Sequence, residues 1–183
     1  MITESDDRDL LNGFEIFERF KKLDVLVANA AVAAPLGPVS QISPKNWHES
    51  IMLNMTAQWR LIRSFEPLLK VSDAGRAIFV TSGVSRRAVA YWSAYAASKA
   101  ALDMLATTYA AEVAHTAVRV NLYNPGPMRT RMRAQAFPGE PEEQQVPPEA
   151  HGEGLVRLAM PSCTMTGQWV AGDEALAAPA SRS

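Results

Sequence analysis

The sequence has a single cysteine, little net charge and no long apolar run. Cys163 alone excludes an internal disulfide, and the three histidines, His48, His115 and His151, are too scattered to form a metal-binding set. The net charge of -1 provides no basic surface for nucleic acid or an anionic membrane. The acidic start, MITESDDRDLL, lacks the apolar core of a signal peptide or anchor. We therefore expect a cytoplasmic protein that binds a small molecule and no metal.

Apolar strands alternate with amphipathic helices along the chain. With 183 residues and 48% hydrophobic content, it predicts one α/β domain over residues 1–183, built on a parallel sheet with right-handed crossovers. The predicted strands are Val25–Val27, RAIFVTS, VRVNLYNPG and GQWVAG. The predicted helices are Glu4–Lys22, Lys45–Leu69, the stretch that follows Tyr95, and Pro148–Met160. Residues 129–146 are charged, contain proline and lack a steady period, which predicts a mobile surface segment.

Polar and turn-forming residues follow three of the predicted strands. Asn29 ends the first strand, Ser82 ends the second, and Pro125-Gly126 ends the third. Because parallel strands present their carboxyl ends at one edge of a sheet, ligands of such domains bind there. The sequence therefore predicts a site at this edge.

The stretch TSGVSRRAVAYWSAYAASKAAL carries the groups for proton transfer. Tyr95 and Lys99 are four residues apart, so a helix places both side chains on one face. A lysine ammonium favours the phenolate, so we expect Lys99 to lower the pKa of Tyr95 from its usual value of about 10. The Ser82 hydroxyl can hydrogen-bond the same substrate oxygen. The Y-x-x-x-K spacing alone is weak, since many solvated helices carry it.

The full set of motifs resembles the short-chain dehydrogenase/reductase family. Its active-site tetrad matches Asn54, Ser82, Tyr95 and Lys99 in order and spacing. LVANAA resembles the N-N-A-G strand end of the family, with Asn29 and Ala30 matching, although Ala28 and Ala31 depart from it. NPGPMRT resembles the family's P-G motif, with Pro125, Gly126 and Thr130 matching. The resemblance covers essentially the whole chain and implies a Rossmann-like, doubly wound parallel sheet.

The resemblance also implies an NAD(P)-dependent oxidoreductase that interconverts an alcohol and a carbonyl. Tyr95 would be the general acid/base, and Lys99 would lower its pKa and hold the nicotinamide ribose. Ser82 would orient the substrate carbonyl, and Asn54 would position a proton-relaying water. The cofactor-binding residues implied by the resemblance are Asn29, Ala30, Tyr95, Lys99, Pro125, Gly126 and Thr130. Asn54 could instead be an ordinary, solvent-facing helix residue.

The family's glycine-rich turn, G-x-x-x-G-x-G, is not found among the ten glycines of the sequence; Gly152 and Gly154 come closest but follow no predicted strand. By comparison with the family, the chain starts after the third strand. NAD or NADP binding would be weakened or lost, and Val25–Val27 would become an open apolar edge. Two explanations remain: a fragment of a longer enzyme, which we favour, or a short relative without cofactor binding. Which of NAD and NADP is preferred is open.

Other functions and roles also remain open. A catalytically silent protein could offer the open sheet edge to a partner, whereas the sequence TSGVS, without a G-x-S-x-G elbow, excludes a serine hydrolase. Arg86 and Arg87 could attract a substrate anion or be solvated, and Tyr91 and Trp92 could form the pocket wall or merely pack. The three arginines after the P-G turn, on the predicted mobile segment, are expected to be surface charges: Arg129, Arg131 and Arg133.

A stripe of small residues on the helix after Tyr95 predicts self-association. The stripe consists of Ala97, Ala100, Ala101, Met104, Leu105 and Thr108. Together with the helix of Trp47 and Trp59, it resembles the surface that the family uses for dimers. We therefore expect a homodimer or homotetramer.

Overall fold

The computed structural model describes residues 14–172, which contain one parallel four-stranded sheet in the order β1-β2-β3-β4. Val25 pairs with Arg76, Arg76 with Arg119, and Leu122 with Trp169. The predicted parallel α/β fold is confirmed, whereas a single domain over residues 1–183 stays a prediction. The strands are β1 (Val25–Ala28), β2 (Arg76–Val80), β3 (Arg119–Asn124) and β4 (Trp169–Ala171).

Helices fill the connections, as the apolar periodicity predicts. Only the second part of the predicted helix Glu4–Lys22 lies within the described residues. The predicted helix Lys45–Leu69 is a longer helical run in which Ser43 caps the start and one π-helical turn, Met52–Thr56, interrupts the α-helix. The helices are α1 (residues 14–20), α2 (Pro44–Ile51), α3 (Ala57–Val71), α4 (Ser93–Glu112), α5 (Arg131–Ala136) and α6 (Gly152–Ala159).

The segment 129–146 is more regular than its composition predicts. The Thr130 hydroxyl accepts a hydrogen bond from the Arg133 amide at 3.1 Å and so caps α5. The Arg133 guanidinium forms two hydrogen bonds to the Glu140 carboxylate, at 2.5 and 2.6 Å, and stacks on the Phe137 ring at 3.8 Å. The sequence predicts no helix here, and α5 forms because a helix cap and a bidentate ion pair compensate for the missing apolar period. The mobility of the segment stays a prediction.

The sheet is covered on both faces over its central strands. Helices α3 and α4 pack on one face, with Leu69 and Leu102 fully buried, and α6 packs on the other through Leu158. In β1, Leu26 and Ala28 face the α3 and α4 layer, whereas Val25 is 36% and Val27 43% exposed. Among the described residues, β1 pairs only with β2, so its outer edge is open. No helix within residues 14–172 is long and apolar enough to cross a membrane.

A buried arginine at the start of β2 forms hydrogen bonds to the segment between α6 and β4. Arg76 is 5% exposed, and its guanidinium donates to the carbonyl oxygens of Pro161 at 2.7 Å, Gly75 at 2.9 Å and Met160 at 3.2 Å. Hydrogen bonds from a buried charged donor contribute to stability, so their loss costs free energy. Arg76 therefore stabilises the join between the sheet and the segment that follows α6.

We predict that Arg76→Met lowers the free energy of unfolding by about 2–4 kcal/mol, because several carbonyls lose their donor at once. Urea denaturation followed by circular dichroism measures the change. Arg87→Met, at an exposed position in the loop after β2, is the matched control and should stay within about 0.5 kcal/mol of the wild type. Equal stability of the two variants would contradict the proposed role of Arg76.

Candidate active site

Helix α4 carries Tyr95 and Lys99 to the carboxyl end of β2. The helix begins at Ser93 and presents small residues to the sheet, so that it can approach closely. Tyr95 is 9% and Lys99 2% exposed. The predicted one-turn spacing therefore places a phenol and an amine together inside the fold. The buried face of α4 consists of Ala94, Tyr95, Ser98, Lys99, Leu102, Ala106, Tyr109 and Ala110.

The Lys99 amine is held by the end of β2. Its Nζ atom donates to the carbonyl oxygen of Val80 at 2.8 Å and lies 5.9 Å from the centre of the Tyr95 ring. Burial lowers the pKa of Lys99 to about 8, and the negative charge of Asp103 opposes this shift. At neutral pH, Lys99 is thus a cation that loses its proton far more readily than an exposed lysine.

Ser82 and Tyr95 meet across the same strand end. Ser82 follows β2 with an extended backbone and begins the 3-10 turn Gly83–Ser85. Burial raises the pKa of Tyr95, and the nearby Ser82 side chain lowers it by less. The sequence predicted a lowered pKa for Tyr95, but the structure gives a raised one, because burial disfavours the phenolate. The protonated phenol is the dominant form at neutral pH.

Asn54 lies in the π-helical turn and braces the loop after β1. Its side chain is fully buried; Oδ1 accepts from the Val32 amide at 2.8 Å, and Nδ2 donates to the Val32 carbonyl at 2.8 Å and to Ser98 Oγ at 2.9 Å. Ser98 Oγ in turn lies 2.8 Å from the Tyr95 carbonyl oxygen. Both Nδ2 protons are used within the protein. The alternative of a solvent-facing helix residue is therefore wrong.

A second buried amide, Gln58, has the same bracing function. Its Nε2 donates to the carbonyl oxygens of Ala30 at 3.0 Å and Leu53 at 3.1 Å. Sequence reasoning missed Gln58, although its position four residues after Asn54 was the available signal. The same spacing would have identified Asp103, four residues after Lys99. Asn29 and Ala30 are exposed just beyond β1, so the two amides fix the loop that presents them.

The Pro125-Gly126 turn lies at the end of β3, next to the end of β2. Gly126 has a φ of 81°, in the left-handed region that favours glycine, and its amide donates to Asn124 Oδ1 at 3.2 Å. A Cβ atom added at Gly126 would meet nothing within 4 Å. The space beside Gly126 is therefore open, and Thr130 follows the turn as the cap of α5.

The aromatic residues before Tyr95 form an apolar wall. The Trp92 ring stands edge-on to Tyr95 at 5.8 Å between centroids and lies 5.9 Å from Phe137. Tyr91 and Trp92 line a shallow apolar depression beside Tyr95 with Pro35 and Leu36. Both predicted wall residues therefore lie beside the phenol.

The arginines do not converge on this site. Arg86 stacks on Trp169 at 4.5 Å, and its Nε lies 3.8 Å from Asp103 Oδ2. Arg87, Arg129 and Arg131 are exposed, and Arg133 pairs with Glu140. Attraction of a substrate anion by Arg86 or Arg87 stays a prediction. Within residues 14–172, no His, Cys, Asp and Glu side chains cluster as metal ligands would.

A comparison with known proteins identifies the family. Residues 6–141 match the model of the short chain dehydrogenase family, and the chain belongs to this family. The oxidoreductase YciK of Escherichia coli is 39% identical over 129 residues, which are 70% of this chain and 51% of YciK. The benzil reductase IRC24 of Saccharomyces cerevisiae is 36% identical over 124 residues, 65% of this chain and 47% of that protein. The chain thus spans about half the length of these relatives.

Solved structures show the same similarity. A short chain dehydrogenase from Shigella flexneri, crystallised with NADP, superimposes with a TM-score of 0.89 at 32% identity. The match covers 94% of this chain and 72% of that structure. The Rossmann-like fold inferred from the motifs is therefore confirmed.

The lowered pKa of Lys99 predicts a pH-dependent stability. Between pH 8 and about 10.5, the unfolded chain keeps this proton and the folded chain loses it. The unfolded state then binds more protons, so the free energy of unfolding should rise with pH in this window, by up to about 1.4 kcal/mol per pH unit from this group. Urea denaturation from pH 7.5 to 9.5 measures the slope.

Lys99→Met removes the titrating amine and should flatten this slope relative to the wild type. The control Lys45→Met, at an exposed position in α2, should keep it. The same slope in the wild type and in Lys99→Met would contradict a buried, readily deprotonated Lys99.

Proposed function

We propose that the chain contains the catalytic part of an NAD(P)-dependent oxidoreductase that interconverts an alcohol and a carbonyl compound. The observation that carries the proposal is the convergence of Ser82, Tyr95 and Lys99 at the end of β2, in a chain of the short chain dehydrogenase family. The Lys99 amine is fixed by the Val80 carbonyl, and the Tyr95 phenol is buried on the same helix face. Such preorganisation is what proton transfer to a substrate oxygen requires.

Tyr95 acts as the general acid in the direction of carbonyl reduction. Because burial raises its pKa, the phenol holds its proton at neutral pH and can donate it to the oxygen atom that becomes the alcohol. The Ser82 side chain lies near the phenol, and an oxygen atom held between the two groups could accept a hydrogen bond from each. The wall of Trp92 keeps one side of the phenol apolar.

The residues present fit the nicotinamide half of NAD(P). Lys99 Nζ donates one hydrogen bond to the Val80 carbonyl oxygen, and its other two protons are available to the hydroxyls of a ribose. The Pro125-Gly126 turn and Thr130 would hold the carboxamide of the nicotinamide, and Asn29 and Ala30 lie exposed just beyond β1. The cofactor, when bound, supplies or accepts the hydride. NADPH is the first cofactor to test, because the Shigella flexneri structure holds NADP.

Asn54 supports this chemistry by holding the loop after β1 against α4. Since both Nδ2 protons are used, a water held by the side chain would have to donate to Oδ1. The proton-relaying water implied by the family resemblance stays a prediction. Asn54 thus positions Ser98 and, through it, the first turn of α4 that carries Tyr95.

The alternative function, a silent interaction protein, rests on the open edge of β1 with its exposed Val25 and Val27. Cofactor binding distinguishes the two hypotheses. NADPH binding that Lys99→Met weakens would support the oxidoreductase, and the absence of NADPH or NADH binding at millimolar concentration would favour the silent protein for this polypeptide.

We further propose that the chain forms a homodimer through α3 and α4. Met104 is 68% and Trp59 42% exposed there, beside a cleft of about 340 Å³ between the two helices. The cleft rim carries Arg63 together with Glu66 and Glu112, so a second copy related by a two-fold axis can pair opposite charges.

A cytoplasmic location also stays a prediction.

We predict that Tyr95→Phe lowers the rate of NADPH-dependent carbonyl reduction by roughly 10²–10⁴-fold, because the variant loses the donated proton and keeps the ring. Oxidation of NADPH at 340 nm with a panel of aldehydes and ketones measures the rate. Binding of NADPH, followed by its fluorescence, should change little.

Tyr123→Phe is the matched control, since that hydroxyl donates to the His151 carbonyl at 3.0 Å, away from the proposed site. It should keep the wild-type rate. Equal rates for the wild type and Tyr95→Phe would overturn the proposed role of Tyr95.

For the proposed dimer, we predict that Met104→Glu yields a monomer in sedimentation-velocity experiments. The substitution places two like charges at the centre of the contact. Met160→Glu, which changes another half-exposed methionine just after α6, should leave the dimer intact. A wild-type chain that is monomeric at high micromolar concentration would contradict this interface.

A further inference from the structure

Asp103 extends the series of functional residues on α4 by one more turn. It follows Tyr95 by eight residues and Lys99 by four, so its side chain lies on the same helix face. The side chain is only 14% exposed. The proposed proton transfer does not use this carboxylate, and its burial needs an explanation because carboxylates are rarely buried without partners.

The carboxylate of Asp103 binds the loop on both sides of Ser82. One oxygen, Oδ1, accepts a hydrogen bond from the Thr81 hydroxyl, and the other, Oδ2, lies 2.6 Å from Ser85 Oγ. Ser85 Oγ also lies 2.7 Å from the Ser82 carbonyl oxygen, so its one proton serves one of the two acceptors at a time. Asp103 therefore ties down the residue before Ser82 and the third residue after it.

The loop has few other ties. Its backbone bonds are those from Thr81 to the Tyr123 carbonyl at 2.8 Å, from Ser85 to the Ser82 carbonyl at 3.0 Å, and a long one from Arg86 to Gly83 at 3.3 Å. Only the first of these joins the loop to the sheet. The hydrogen bonds to Asp103 join Thr81 and Ser85 of the loop to α4, the helix that carries Tyr95.

The charge of Asp103 is also placed for Lys99. The charged groups beside the carboxylate are Lys99, on its own helix, and Arg86, whose Nε lies 3.8 Å from Oδ2 on the loop side. A carboxylate near a buried ammonium compensates part of the cost of its burial. Asp103 thus influences the position of the Ser82 hydroxyl through Thr81 and Ser85, and it influences the Lys99 amine through its charge. It does not contact the reacting atoms.

We propose that Asp103 is a positioning residue that holds Ser82 against Tyr95 and keeps a compensating negative charge beside Lys99. This inference rests on the proposed function for its purpose, but its contacts can be tested without turnover. A purely structural role, as an anchor for Thr81, would make the loop more stable and leave the proton affinity of Lys99 unchanged. The two roles therefore differ in a measurable quantity.

The test is a pH titration of the chain labelled with ¹³C at the lysine ε-carbons, in which Lys99→Arg assigns the Lys99 signal. The wild type should titrate near pH 8. Asp103→Asn should move the midpoint down by roughly half a pH unit or more, because the amine loses a nearby negative charge. Asp103→Glu, which keeps the charge, should restore the wild-type midpoint, and Asp73→Asn, at an exposed turn, should not change it.

A second measurement follows Ser82. The Raman doublet of Tyr95, isolated by subtracting the spectrum of Tyr95→Phe, reports the hydrogen bond of the phenol. Asp103→Asn and Thr81→Val should both change this doublet in the direction that Ser82→Ala changes it, and Thr81→Val should leave the Lys99 midpoint in place.

An unchanged Lys99 midpoint in Asp103→Asn, or a wild-type Tyr95 doublet in both loop variants, would overturn the inference. Because neither measurement needs cofactor or substrate, a failure here is distinct from a failure of the proposed oxidoreductase activity. If Asp103→Asn does not fold, Asp103→Glu and Thr81→Val still decide the outcome. A shifted midpoint in Asp103→Glu, or an unchanged doublet in Thr81→Val, would then overturn it.

Discussion

The site depends on the burial of one amine, that of Lys99, against the carbonyl oxygen of Val80. An ammonium inside the fold is costly unless polar partners surround it. The end of β2 supplies a carbonyl, and Asp103 supplies a negative charge. These partners fix α4 over the carboxyl end of the strand, and Tyr95, one turn earlier, is carried to Ser82 by the same helix. The position of the Tyr95 phenol thus follows from the position in which the Lys99 amine finds its polar partners.

The loops around the site are held by buried side-chain amides and hydroxyls. Asn54 and Gln58 bind the carbonyls and one amide of the loop after β1, and Asp103 binds the loop after β2. Asn54 sits in a π-helical turn, an irregularity that often marks functional sites because it re-aims side chains. These buried hydrogen bonds hold the exposed loops at the strand ends in a defined geometry without requiring a large apolar core beneath the loops.

The sequence predicts the regular parts of this structure well and the electrostatics poorly. Apolar runs and helical periods locate the strands and the helix of Tyr95 and Lys99, because these signals are local. The pKa of Tyr95 was predicted in the wrong direction, since the depth of burial depends on how α4 packs and cannot be derived from spacing. Helix α5 was missed because its stability comes from the Thr130 cap and the Arg133–Glu140 pair, not from an apolar stripe. The four-residue spacings from Asn54 to Gln58 and from Lys99 to Asp103 are visible in the sequence. Their role could not be predicted, because the loop groups that Gln58 and Asp103 bind are known only from the structure.

The chain spans about half the length of its curated relatives, and its β1 edge is open among the described residues. The proposed function is therefore best tested at the nicotinamide half of the cofactor. The most direct measurement is a nuclear Overhauser experiment on the ¹³C-lysine chain with NADP⁺. We expect contacts between the ε-methylene of Lys99 and the protons of the nicotinamide ribose. Binding without these contacts, or no binding at millimolar NADP⁺ or NAD⁺, would contradict the account of the site given by Ser82, Tyr95 and Lys99.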